Sequence, residues 1–225
     1  MDLEKIILEL QSRVLYLSEK VDQLSSRVDE LAADEVPADP TSNTQSASTR
    51  KTKIKGKISK NELVAGVKAA LAGQIPANNI RKGTRREGSG IIISNGDRQL
   101  KLCLRGSGYY GKEDVSERME YTGFSTINEA TIMDEDGRMN YDFFVFGINH
   151  SDDPDQPHVE FFVFDQAQFK HLLEQKKANG ANRVYYFYFG ETTDGHYIDD
   201  RERDKTVLVD DEHGNWDAVV RQYNK

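Results

Sequence analysis

Cysteine is nearly absent from this sequence: Cys103 stands alone among 225 residues. A single thiol supports no intrachain disulfide framework and cannot build a cysteine-based zinc site. Long apolar runs are missing too. None approaches the roughly 18 residues a membrane-spanning helix needs. The opening Met1-Asp2-Leu3-Glu4-Lys5 carries both charge signs and lacks the apolar centre of a secretory signal, so the expected location is the cytoplasm. Apolar residues are scarce at 37 % and charged ones plentiful at 30 %, so part of the chain is expected to be solvated arm. No glycine-rich phosphate loop and no G-x-S-x-G occurs. The five histidines, at 150, 158, 171, 196 and 213, show no metal-ligand spacing. The acidic stretches "SDDPDQ" (151–156) and "VDDEHGN" (209–215) do not alternate oxygen ligands as a calcium loop does. The expectation is therefore no metal, no cofactor and no membrane partner.

What is present is unevenly distributed charge. The chain carries a net −8, yet residues 50–86 hold eleven Lys or Arg against the single acid Glu62. That block is +10, which leaves −18 on the remainder. Phosphates respond to the local field, so an acidic whole does not exclude nucleic acid as a partner.

Residues 1–31 carry a heptad. Leu3, Leu10, Leu17, Leu24 and Leu31 recur every seven residues, as do Ile7, Val14, Val21 and Val28. β-Branched residues at a with Leu at d favour a parallel two-stranded coiled coil, so one expected partner is a second copy of the chain. Leu8 and Leu15 at b and Ile6 at g widen the stripe and leave a trimer or tetramer open. An amphipathic helix packed on its own domain is the other reading of this pattern.

Residues 32–58 read as a flexible linker with a basic end. "DEVPADPTSNTQSAST" has no apolar periodicity to offset the entropy of ordering. It runs into "RKTKIKGKISK", where Lys51, Lys53, Lys55 and Lys57 alternate and would share one side of an extended segment. They are candidate phosphate contacts, with Arg81, Lys82, Arg85, Arg86 and Arg105 on the folded side.

Residues 59–225 read as a folded domain. Ser59-Lys60-Asn61-Glu62 is a capping box opening a helix that Gly73 closes. "GIIIS" and "QLKLCLRG" are strands joined at Asn95-Gly96, a tight-hairpin signal. "YDFFVFGI" suits a central strand and "HVEFFVF" another. Asp165 and Gln168 form a second capping box, for a helix expected to end at Asn179-Gly180, before the strand "RVYYFYFG". The tyrosines of that strand serve either core packing or base stacking. A last helix starts near Asn215. The fold class is α+β, a mixed β-sheet flanked by helices, preceded by the N-terminal coiled-coil helix.

Residues 88–190 resemble the PD-(D/E)xK restriction-endonuclease-like superfamily. The matching parts are "GIIISNGDRQLKLCLRGSGYY", "YDFFVFGIN" and "HVEFFVF" followed by "DQAQFKHLLEQKK". The resemblance implies a restriction-endonuclease-like fold, in which an acid on the first hairpin strand and an E/Q-x-K on the second hold Mg²⁺. Here Cys103-Leu104-Arg105 falls at the E/Q-x-K, and "GIIIS" offers no acid. Cysteine is a poor ligand for a hard ion, and arginine holds phosphate without exchanging a proton. A literal Gln99-Leu100-Lys101 lies four residues earlier, with Asp97 and Glu87 as candidate acids. The expectation is an oligomeric, non-catalytic nucleic-acid-binding protein, with DNA as the expected nucleic acid and no catalytic residue. A protein-interaction module that uses the acidic remainder, and an active Mg²⁺-dependent nuclease, are the alternatives.

Overall fold

A computed structural model describes residues 56, 58–84, 87, 90–111, 118–151, 158–200 and 205–225. The chain divides into two units, Met1–Thr49 and Arg50–Lys225, and every described residue belongs to the second. The heptad of 1–31, nearly all of the linker, and Lys51, Lys53, Lys55, Lys57, Arg85 and Arg86 lie outside the described residues.

The second unit is α+β. Helix α1 (Lys60–Ala70) starts where the sequence signals it, with the Ser59 amide donating to Glu62 Oε2 at 2.7 Å and the Glu62 amide donating to Ser59 Oγ at 3.3 Å. Strands β1 (Ile80–Lys82), β2 (Ile91–Asn95) and β3 (Arg98–Ser107) form an antiparallel meander. The turn between β2 and β3 places Gly96 at φ +59°, which explains the Asn-Gly pair. After β3 the chain leaves the sheet for β4 (Tyr109–Gly111), β5 (Met119–Gly123), β6 (Ser125–Asn128) and a short helix α2 (Glu129–Ile132). It returns as β7 (Phe143–Asn149), parallel to β3, and β8 (Val159–Asp165), antiparallel to β7. The main sheet is therefore mixed, in the order β1-β2-β3-β7-β8.

Two cores lie on the two faces of this sheet. The first is mainly aliphatic: Leu63 and Val67 of α1 pack with Ile91, Ile93, Leu102, Leu104 and Val145, joined by Trp216 and Val219 of the last helix, α4 (Trp216–Tyr223). The second is aromatic, with Phe144, Phe146, Phe162 and Phe164 against Phe169 of α3 (Gln166–Glu174). All seven residues of β7 are buried, because it serves both cores.

Three expectations are corrected. Helix α3 ends at Glu174, five residues before Asn179; Asn179 and Val184 instead exchange backbone hydrogen bonds across a turn that holds Gly180 at φ +66°. "RVYYFYFG" is two strands, not one. Strand β9 (Val184–Phe187) pairs with β6, while β10 (Phe189–Thr192) joins a second sheet ordered β12-β11-β10-β5-β4, with β11 at Tyr197–Asp199 and β12 at Val207–Leu208. The switch occurs at Tyr188, whose amide donates to the Asp199 carboxylate at 2.8 Å rather than to a strand neighbour. The third is the single mixed sheet, because a second, antiparallel sheet takes up β4, β5, β10, β11 and β12. Among the described residues no helix is long and apolar enough to cross a membrane.

Candidate functional site

Side chains alternate along β3, so Leu102 and Leu104 enter the aliphatic core while Cys103 and Arg105 turn to the other face. Cys103 is 2 % exposed, and burial pushes its thiol up while Arg105 and Lys60 pull the other way. It is a small apolar side chain here, without the exposure a reactive thiolate needs. Arg105 is half-buried, and its Nε is sealed from solvent with no hydrogen-bond partner among the described groups. Lys60, at the first position of α1, lies within the field of both Lys82 and Arg105. Burial, then those two cations, hold its ammonium below the usual lysine range. Lys60 of α1 thus feels one positive group from β1 and another from β3.

The other predicted residues separate. Arg81 is engaged, donating to Glu87 through Nη1 at 2.9 Å and Nη2 at 2.5 Å. Glu87 also accepts from the Thr84 amide and hydroxyl at 2.9 and 2.8 Å. Arg81 first, and Thr84 after it, hold this carboxyl well below the usual range. Asp97 in the β2–β3 turn and Gln99 and Lys101 on β3 are all exposed, and the paired strand β2 (Ile91–Asn95) carries no acid. The Lys101 amide donates to Asp142 at 2.7 Å, which fixes backbone rather than assembling a site. Tyr185 lies in the aromatic core, whereas Tyr186 and Tyr188 turn the other way and flank Phe124 at ring separations of 6.0 and 5.0 Å.

A second constellation forms at the end of the β7–β8 pair, where residues 149–151 meet His158. His150 and His158 face each other across it, the His150 amide donating to the His158 carbonyl at 3.0 Å. Buried Asn149 closes this end, its Oδ1 accepting from the amides of Ser151 and His158 at 3.2 and 2.9 Å. Glu160 follows two residues after His158, on the same face. His150 Nε2 lies 3.3 Å from Glu160 Oε1, His158 Nε2 3.8 Å from the same oxygen, and His213 Nε2 3.5 Å from Oε2. His213 arrives by edge pairing, bridging to Phe162 while the Gly214 amide donates to the Phe161 carbonyl at 2.8 Å. The Tyr121 hydroxyl donates to Glu160 Oε2. Burial alone would raise the Glu160 carboxyl, but the adjacent imidazoles and Tyr121 together hold it well below the usual range. The sequence gives little sign of this cluster, because its members are eight and more than fifty residues apart.

No protein-family model, curated protein or solved structure matches the chain.

Proposed function

We propose that this chain is an oligomeric, non-catalytic nucleic-acid-binding protein with a restriction-endonuclease-like fold. The observation that carries the reading is that Lys60 lies in the field of both Lys82 and Arg105, and that Arg105 and Lys60 both act on Cys103. Such a group of cations attracts phosphate, and Cys103 stands where the resemblance calls for a hard Mg²⁺ ligand. The mixed sheet, with parallel β3–β7 and helices packed on both faces, supports the fold assignment. Glu87 is tied to Arg81 and so offers no free carboxylate. The basic arm at 51–57 would add contacts, and the heptad of 1–31 would join copies. Tethering several weak patches raises avidity by about 10²–10⁴-fold without new contacts.

Binding of the full chain to labelled duplex and single-stranded DNA and RNA, measured across a salt series, tests the reading. Affinity should fall steeply with salt, and Arg105→Ala should weaken binding and flatten the salt slope by about one phosphate contact. No metal-dependent cleavage should accompany it. Salt-insensitive binding, or none, overturns the proposal in favour of a protein-interaction module. Cleavage abolished by Lys101→Ala would move the site to Gln99, Lys101 and Asp97.

A further inference from the structure

The histidine cluster at the end of the β7–β8 pair is remote in character from the cation group on β3, and the nucleic-acid reading makes no use of it. Its donor atoms are those of a transition-metal centre. His150, His158 and Glu160 each offer one ligand atom, all within 4.8 Å of one another. An ion held at about 2.0–2.1 Å from each of its tetrahedral ligands sets those ligands about 3.3–3.4 Å apart. The 3.3 Å between His150 Nε2 and Glu160 Oε1 already meets that spacing, and the 3.8 Å from His158 needs only a small closure.

A plain cluster of ion pairs is the competing account, and three features weigh against it. His150 Nε2 is sealed from solvent and is assigned no hydrogen-bond partner among the described groups, although Glu160 Oε1 lies 3.3 Å away. In an ion pair that nitrogen would donate to the carboxylate; as a ligand it would offer its lone pair to an ion between the two. Next, one carboxylate faces three imidazoles. That many imidazole nitrogens around one carboxylate is the ligand chemistry of a first-row transition metal. Finally, the cluster has the support that metal sites carry around their ligands. Tyr121 donates to Glu160 and stacks on His150 at 4.6 Å, fixing both a carboxylate and a ring. Tyr197 stacks on His213 at 3.7 Å, and Asn149 pins the backbone that carries His158.

We propose that His150, His158 and Glu160 bind one first-row divalent transition-metal ion, Zn²⁺ by the chemistry of two imidazoles and a carboxylate, with His213 held beside the same carboxylate. Magnesium is disfavoured because two of the three ligands are nitrogen. The site opens on a cleft of about 700 Å³ bordered by Glu62, Gly66, Ala69, His158, His213 and Trp216. Water from that cleft completes the coordination, as in sites with three protein ligands.

The test uses the tag-free full chain, stripped with chelator and titrated calorimetrically with Zn²⁺, then with Co²⁺ while its visible spectrum is recorded. One equivalent should bind per chain, Co²⁺ should develop ligand-field bands that Zn²⁺ quenches, and millimolar Mg²⁺ should not compete. His158 is 67 % exposed, so His158→Ala should fold normally, and it should lose about 10–100-fold in Zn²⁺ affinity or more. Tyr121→Phe keeps the ring stack, removes the hydrogen bond to Glu160 and should lose about tenfold or more. His171→Ala, an exposed histidine on α3, should change nothing. If Zn²⁺ does not bind, or binds equally well to wild type and His158→Ala, the cluster is a set of ion pairs and the proposal falls.

Discussion

Lys176 and Asp199 show what a single pair of side chains holds in this molecule. Lys176 follows α3 and Asp199 ends β11; their side chains are 1 % and 0 % exposed, with Nζ and Oδ2 2.5 Å apart. The other carboxylate oxygen accepts from the Tyr188 amide, and the ammonium sits 5.0 Å above the Phe187 ring. The pair therefore sits at the point where the chain passes from β9 to β10. Two buried charges gain little over a well-packed apolar pair, but removing one leaves the other stranded. Lys176→Met keeps most of the stem and strands the carboxylate, so it should cost about 3–5 kcal/mol in denaturant unfolding. Adding Asp199→Asn keeps an acceptor for Tyr188 and should recover much of that loss. A single-variant cost below about 1 kcal/mol would mean that water already reaches the pair.

At the scale of elements, the turn between β10 and β11 is latched to the short helical turn Asp210–Glu212. His196 Nδ1 lies 2.8 Å from Asp210 Oδ2, while Oδ1 of the same carboxylate accepts from the Tyr197 amide at 2.5 Å. The hydrogen bond with Asp210, then its charge and that of Asp194, raise the His196 imidazole above 6.5. A group whose folded value is raised stabilises fully below its unfolded value and loses that contribution as pH rises through the folded one. The melting-temperature gap between wild type and His196→Gln should therefore be widest below pH 6.5 and close above it. A gap that does not change with pH would sink the latch. This element also marks how far the sequence could be read. Both capping boxes and the Asn95-Gly96 turn were legible because each is satisfied within a few residues. The buried strand β7 was legible from its unbroken apolar run. The break in "RVYYFYFG" was not, because it depends on Asp199, eleven residues beyond Tyr188. Nor was the approach of Lys60 to Arg105, since Lys60 reaches its field only after α1 docks. Docking itself needs the facing glycines Gly106 and Gly147, where any Cβ would run into Leu63.

Across the whole folded unit, one sheet divides an aliphatic core from an aromatic one, and the question is whether the two melt together. Strand β3 sends Leu102 into the first core and Cys103 into the second; neighbouring β7 does the same with Val145 and Phe146. A strand cannot lose its packing on one face and keep its register on the other, because the same backbone hydrogen bonds serve both. The cores should therefore unfold as one. Trp216 is the only tryptophan and belongs to the aliphatic side, so its fluorescence reports on that core alone, while far-UV circular dichroism reports on the sheet. Phe146→Ala, a change in the aromatic core, should cost about 3–5 kcal/mol, and Leu102→Ala in the other about 2–5 kcal/mol. Each should shift the fluorescence and dichroism midpoints together, because coincident probes are the signature of a single cooperative transition. If Phe146→Ala lowers the dichroism midpoint and leaves the Trp216 transition in place, the helices α1 and α4 stabilise their face independently. The shared strand would then transmit no cooperativity, and the two cores would be separate folding units.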